Sequence, residues 1–244
     1  MQAISRTQSF QKFMIIGNGL VARTLRTKKW DAKYLFFASG VSNSKDVPKE
    51  EYQREIDLVK HTIRANPELT FIYFSTASIY DINAKNSSYV AHKMNVEHLI
   101  SQETRKYRIA RVSNLVGAGA NKSTILEFLM NHIKNGQSFT LWDNVERNLI
   151  DAEDFLRLLS LQLNEENQKG IIHIFNSRSI AVTDIVSTIE EYLSRQSRHE
   201  LRSDSSQTEN HLNLPCVEVI HSFDNFNEPI NYLNALLKKY YSEY

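Results

Sequence analysis

The chain has 244 residues, 41% of them hydrophobic, enough for one large α/β domain or two small ones around a proper core. Its 29 basic and 28 acidic residues nearly cancel, so the balance points away from nucleic acid and membrane surfaces and toward small molecules or other proteins as partners. The lone cysteine, Cys216, excludes an internal disulfide framework and a cysteine-rich metal site and suits a reducing cytoplasm, while no stretch approaches the roughly 18 apolar residues of a membrane span.

In chain order, Met1 to Lys12 is polar, lacks an apolar h-region and reads as a disordered lead-in. Phe13 to Ile16 is a short apolar strand broken by Gly17-Asn-Gly19, after which Leu20, Val21 and Leu25 begin a helix. Tyr34 to Ala38 is a second buried strand closed by Ser39-Gly40. A polar loop over Val41 to Asp46 follows, and then a helix with Pro48 in its first turn, carrying Tyr52, Ile56, Val59 and Ile63 and ending near Asn66-Pro67. Thr70 to Phe74 is the third strand, with Ser75-Thr76 at its C-terminal end. Ser87-Ser88 can cap a helix from Tyr89 to about Arg105, whose Val96 and Ile100 face the core. Arg108 to Val112 is a fourth strand. Strands alternating with helices in this way make a parallel sheet covered on both faces.

Beyond Gly117 the pattern loosens. Helices are expected over Ser123 to Asn135, Ala152 to Leu163, Thr183 to Leu193 and Glu228 to Tyr241, and strands over Phe139 to Trp142, Ile171 to Phe175 and Val217 to Ile220. The polar stretch Ser194 to Asn213 reads as a mobile loop or lid.

Two short patterns carry chemistry. Gly17-Asn-Gly19-Leu-Val-Ala22 is GxGxxA, directly after a strand and opening a helix. That is where a dinucleotide pyrophosphate needs a tight turn, close backbone approach and a small residue for helix packing, although an ordinary glycine turn shares the geometry. The acid that should follow by about 20 residues to hold an adenosine ribose is missing. Phe36-Phe-Ala-Ser39 occupies its place, and Asp31 comes too early, in a helix-to-strand loop. Arg23, Arg26, Lys28 and Lys29 could meet a 2′-phosphate instead, or simply complement a helix C-terminus. The second pattern is Tyr89-Val-Ala-His-Lys93. Residues four apart share a helix face, and an ammonium beside a phenol favours the phenolate, so the pair can make a proton donor.

With these pieces in order the chain resembles the extended short-chain dehydrogenase/reductases, the NAD-dependent epimerase/dehydratase group acting on nucleotide sugars. The ordered matches are the glycine turn, Phe36-Phe-Ala-Ser-Gly40, Ser75-Thr-Ala-Ser-Ile-Tyr80, Tyr89 to Lys93, Arg111-Val-Ser-Asn-Leu-Val-Gly117 and Arg147-Asn-Leu-Ile-Asp-Ala-Glu-Asp154. The resemblance implies a Rossmann-like, doubly wound parallel sheet over 13–116, with a small C-terminal α/β substrate region over 117–244 that returns a strand, 171–175, to the sheet. It implies NAD or NADP held by Gly17, Gly19, Ala22, Ala38, Ser39 and Lys93. Tyr89 would be the general acid/base, Lys93 the group that holds the nicotinamide ribose and lowers the tyrosine pKa, and Thr76 the hydroxyl bonding the reacting oxygen. Asn114 and Arg147 would contact a nucleotide-sugar diphosphate. The setting implied is surface-polysaccharide synthesis.

Two departures narrow these expectations. Family dehydratases carry Asp-Glu directly after the catalytic threonine, and Ala77-Ser78 stands there instead, which leaves epimerisation or a single oxidation or reduction. Only Leu20 to Lys33 separates the glycine turn from the next strand, too little for the βαβ unit of about 30 residues that would hold strands two and three. Those strands are therefore expected to be absent, leaving the first strand at the sheet edge, the adenosine floor removed and a homodimer through that edge open. His92 and His98, six apart, face different sides of the helix, so no metal is expected and His92 reads as an exposed helix residue. The tail tyrosines 232, 240, 241 and 244 read as packing or a subunit contact. An enzyme and a non-catalytic ligand-binding or supporting subunit of the same fold both fit the pattern.

Overall fold

The computed structural model describes residues 14–41, 47–84, 87–164, 170–203, 213–215 and 228–242. The elements in order are β1 (Met14–Ile16), α1 (Leu20–Arg26), β2 (Tyr34–Phe37), α2 (Lys49–Ala65), β3 (Thr70–Thr76), α3 (Ser88–Glu103), β4 (Tyr107–Val112), β5 (Asn114–Val116), α4 (Ile125–Asn135), β6 (Ser138–Trp142), β7 (Glu146–Arg147), β8 (Leu149–Asp151), α5 (Ala152–Leu163), β9 (Ile171–Ile174), β10 (Ile180–Ala181), α6 (Val182–Leu193), β11 (Arg198–Arg202) and α7 (Pro229–Tyr241). Two 3₁₀ turns, Ala77–Tyr80 and Ile82–Ala84, lead from β3 to α3.

The main sheet has five parallel strands in the order β1-β2-β3-β4-β9. Period-2 alternation sorts its side chains into two cores. Phe36, Ile72, Phe74, Ala110, Ile172 and Ile174 face a large core with Leu25 of α1, Phe155 of α5 and the C-terminal helices. Leu35, Phe37, Phe71, Tyr73 and Ile109 face a smaller core with Val59 and Ile63 of α2 and Val96 and Ile100 of α3. Helices thus cover both faces, as the alternating pattern predicts. Among the described residues β1 pairs only with β2, so the edge position expected from the short Leu20 to Lys33 interval is the one observed.

Boundaries shift where local chemistry competes. Pro48 sits at the N-cap of α2 with extended ψ rather than in its first turn, and Ser87 occupies the N-cap of α3 without a side-chain bond. Asp151, by contrast, caps α5 through a 2.6 Å bond from Glu153 N. The larger correction concerns the expected lid. Arg198–Arg202 is strand β11, parallel to β6 with Leu201 opposite Leu141. All five of its residues are exposed, so no buried face imposed an alternation that the sequence could reveal. The lead-in over Met1 to Lys12, most of the Val41 to Asp46 loop, the remainder of the lid before Asn213 and the Val217 to Ile220 strand lie outside the described residues. Tyr232 and Tyr241 are buried packing residues, as expected for the tail.

Candidate functional site

In open parallel sheets ligands sit beyond the carboxyl ends of the strands, and the residues singled out by sequence gather there. Thr76 closes β3. Its Oγ1 accepts from Ser78 N at 3.1 Å and donates to Ser78 Oγ at 3.1 Å, which caps the 3₁₀ turn. The same hydroxyl is within hydrogen-bonding reach of the Tyr89 phenol in the first turn of α3. Tyr89 is half-buried, and burial pushes its pKa up to about 12, against the Thr76 hydrogen bond and reinforced by the Glu55 charge. The direction is opposite to that expected from the neighbouring lysine. Lys93 Nζ lies 5.8 Å from the Tyr89 ring centroid, but its charge is balanced by a third residue.

That residue is Glu55 of α2, fully buried between α2, α3 and β3. Its Oε1 accepts from Tyr73 OH at 2.6 Å and Lys93 Nζ at 3.1 Å, and its Oε2 accepts from Val41 N at 2.6 Å and faces His92 Nε2 at 3.0 Å. Lys93 Nζ also donates to Tyr73 OH at 3.0 Å. Burial lowers the lysine pKa, with Glu55 opposing, and raises that of Tyr73 well above its ordinary value. Despite desolvation, hydrogen bonding from His92 and the charge of Lys93 bring the Glu55 carboxyl down to about 2. Gly40 roofs the cluster, since a Cβ there would stand 2.6 Å from Lys93 Nζ and 2.8 Å from Glu55 Oε1. His92 is therefore not the exposed residue expected. It is buried, bonded to Glu55 and stacked on Tyr52 with ring centroids 4.3 Å apart. Helical period carried the signal for both misses. Position 92 is four before Val96, and position 55 is four before Val59, on the inward stripes of their helices.

Glu55 ties stability to acid. A carboxyl whose folded value is depressed stabilises fully above its ordinary pKa of 4.5, and that contribution disappears as pH falls toward 2. At ~1.4 kcal/mol per unit the effect is roughly 3 kcal/mol. Urea denaturation of wild type and Glu55→Gln from pH 6 to 2.5 should show a stability difference that narrows with acid. A constant difference would contradict the assignment.

A second polar chain crosses the same end of the sheet. Ser75 Oγ donates to Glu97 at 2.5 Å, Arg111 grips Glu97 through Nε at 3.1 Å and Nη2 at 2.6 Å, and Arg111 Nη1 donates to Tyr80 OH at 2.8 Å. Tyr80 OH in turn bonds His173 Nε2 at 2.7 Å, which links β3, α3, β4 and β9.

The glycine turn meets part of its specification. Gly17 has φ +118°, and a Cβ there would run into the Ala38 carbonyl, so turn and β2 end are in direct contact. Gly17→Ala should cost about 1–3 kcal/mol through this clash and the positive φ, read as a lower thermal midpoint. None of the described residues lies within 4 Å of a Cβ built on Gly19, which leaves that backbone open to a ligand, and Ala22 is buried against the core as helix packing requires. α1 is only seven residues long. Its arginines fold onto the turn. Arg23 Nη1 donates to Asn18 O at 3.1 Å and its Nη2 to Gly119 O at 2.6 Å, while Arg26 Nη2 donates to Gly17 O at 2.7 Å. Lys28 bonds Ser160 and lies over the Trp30 ring at 5.1 Å. Asp31 accepts from Lys33 N within its loop, and Ala38 and Ser39 present no acid at the end of β2.

The two residues expected at a diphosphate are each bonded to backbone carbonyls. Asn114 Nδ2 donates to Asn148 O at 2.9 Å, tying β5 to the turn before β8. Asn148 itself is a buried knot, donating to Asn176 O at 2.8 Å and Arg178 O at 3.0 Å and accepting from Asn176 N at 2.9 Å. Arg147, half-buried on β7, donates to Glu146 O at 2.8 Å. Burial lowers its pKa, and the Asp81 carboxylate beyond β3 acts against that shift. Among the described residues no group of three His, Cys, Asp or Glu could hold a metal, and no helix is long and apolar enough to cross a membrane.

Comparison with known proteins agrees with this fold. Residues 3–176 match the model of the NAD dependent epimerase/dehydratase family. Among solved structures, RMD from Pseudomonas aeruginosa complexed with NADPH superposes with a TM-score of 0.69 at 14% identity, covering 95% of this chain and 99% of that one. WbmG of Bordetella bronchiseptica, in complex with NAD and UDP, gives 0.64 at 16% identity over 92% of this chain and 79% of that one. The UDP-glucose 4-epimerase of Thermus thermophilus, complexed with NAD, gives 0.62 at 14% identity over 75% of this chain and 69% of that one. No curated protein matches the chain by sequence. The family match spans most of the chain and includes the glycine turn, the β3 end and the Tyr89–Lys93 helix, so the protein belongs to the NAD dependent epimerase/dehydratase family.

Proposed function

We propose that this protein is an NAD(P)-dependent oxidoreductase or epimerase acting on a nucleotide-linked sugar, in cytoplasmic precursor synthesis for a surface polysaccharide. The observation that carries the reading is the meeting of Thr76, Tyr89 and Lys93 at the carboxyl end of β3. The open backbone at Gly19 and the buried Ala22 suit the pyrophosphate of a dinucleotide, so the residues present fit the cofactor at its phosphate part. When bound, such a cofactor donates or accepts the hydride.

The chain's own residues handle the proton. Tyr89, kept protonated far above neutral pH, is suited to give its phenolic proton to a carbonyl oxygen that is being reduced. Thr76 bonds the same oxygen and orients it, and Lys93 holds the nicotinamide ribose. Arg147, a part-buried cation, and Asn114 serve the diphosphate end of the substrate. The absence of carboxylates at Ala77 and Ser78 removes the acid and base that sugar dehydration would need. Incubation with NADH or NADPH and a panel of keto-sugar nucleotides, followed at the nicotinamide absorbance, tests the reading. Consumption of reduced cofactor is expected with at least one keto-sugar, or, for a redox-neutral epimerisation, interconversion of a sugar nucleotide and its epimer followed by NMR, and neither outcome with any of them opposes it.

A non-catalytic member of the family is the competing reading. It is favoured by β1 at the sheet edge and by the arginines folded onto the glycine turn, which together leave the adenosine end without its usual support. Pairing of two copies along β1 belongs with either reading. Sedimentation at the monomer mass at all concentrations would remove it.

A further inference from the structure

We propose that Glu55 is a positioning residue of this site: acting through Lys93, it holds the ammonium group beneath Gly40 and balances its charge where β3 meets α3. The proposal rests on the reading above and names a residue on α2 that neither the glycine turn nor the tyrosine–lysine pattern includes.

The geometry makes the case. Lys93 is 2% exposed and cannot be solvated, so its charge persists only through protein partners. Those seen are Glu55 Oε1 at 3.1 Å and the Tyr73 hydroxyl at 3.0 Å, and Tyr73 is itself bonded to Glu55. Glu55 is in turn over-determined, with Val41 N, Tyr73, His92 and Lys93 all directed at its two oxygens. Groups from every packed element face this pair: Tyr52 on α2, Tyr73 on β3, and Tyr89, His92 and Glu97 on α3. Lys93 is the cation in direct contact. A carboxylate this well bonded does not exchange protons near neutrality, so it anchors charge rather than relaying it. Its second effect falls on Tyr89. Its charge adds to the burial that keeps the phenol protonated, the state a proton donor requires.

The test uses the full chain without cofactor, by NMR titration of lysine side-chain carbons, with Lys93 assigned from the Lys93→Met spectrum. In Glu55→Gln the Lys93 midpoint should fall by at least one pH unit, and an unchanged midpoint overturns the proposal. Cofactor affinity, read by nicotinamide fluorescence between pH 6 and 9, should hold to a pH at least one unit higher in the wild type than in Glu55→Gln. In Glu55→Gln it should weaken about tenfold as pH rises through the lowered lysine midpoint. The Glu55→Gln/Lys93→Met double variant should bind weakly and without pH dependence, because the titrating group is gone. Weak binding that still varies with pH in the double variant contradicts action through Lys93. If the wild type binds neither NADH nor NADPH while the Lys93 midpoint shifts as stated, the cofactor reading fails and the Glu55–Lys93 coupling stands. Should Glu55→Gln not fold, the Glu55 carboxyl in Lys93→Met must take up its proton at least one pH unit higher than in the wild type, and an unchanged midpoint there overturns the proposal.

Discussion

Tyr89→Phe should lower turnover by about 10²- to 10⁴-fold, the usual worth of a positioned general acid, while leaving NAD(P)H affinity within about twofold of the wild type. The phenol contributes a proton that neither Thr76 nor Lys93 duplicates. Thr76 carries an aliphatic hydroxyl, far too weak an acid to protonate the oxygen it orients, and Lys93 Nζ shares its protons with Glu55 and Tyr73. The ring itself stays, so packing at the start of α3 is preserved. Steady-state rates set beside fluorescence binding isotherms separate the two effects. Turnover surviving the substitution would mean that another residue donates the proton. Because Tyr89 stays protonated to about pH 12, activity in the reductive direction should show no alkaline limb from this residue between pH 6 and 10.

The second large effect concerns stability. Lys93→Met removes one partner of a buried ion pair and strands the Glu55 carboxylate in the interior, a change that costs about 3–5 kcal/mol. Urea denaturation at pH 7 should show that loss. Adding Glu55→Gln should recover more than half of it, since the uncompensated charge then disappears and the two sites are in contact and cannot be additive. Equal stability of the single and double variants would show that the carboxylate is solvated through the Gly40–Val41 turn rather than held by the lysine.

Much of this arrangement was legible before the structure, because it follows from local rules. The strand-turn-helix at Gly17, the alternation of apolar strands and helices, and the short interval from Leu20 to Lys33 were enough to place β1 at the edge of a parallel sheet. The convergence of Thr76, Tyr89 and Lys93 follows from one strand end meeting the first turn of the next helix. What escaped depends on contacts distant in sequence. Glu55 lies 38 positions before Lys93, and a carboxylate on an inward helix stripe has no meaning until its cation is seen. The i, i+4 spacing of Tyr89 and Lys93 shows neither the burial of the phenol, which chiefly raises its pKa, nor the Glu55 charge that adds to it. Arg23 and Arg26 read as helix-terminal cations or as a phosphate site. Only the fold shows them bonded to the Asn18, Gly119 and Gly17 carbonyls. Asn114 belongs to a matched motif, yet its amide ties two strands together through Asn148. β11 gave no signal because a strand exposed on both faces carries no alternation.

The central claim, that a nicotinamide cofactor works at Tyr89, is tested most directly by titrating the purified wild-type chain with NADH and NADPH and following nicotinamide fluorescence or heat. Saturable binding of at least one of them is expected, retained in Tyr89→Phe and weakened in Lys93→Met. Absence of binding of either cofactor at millimolar concentration would contradict it.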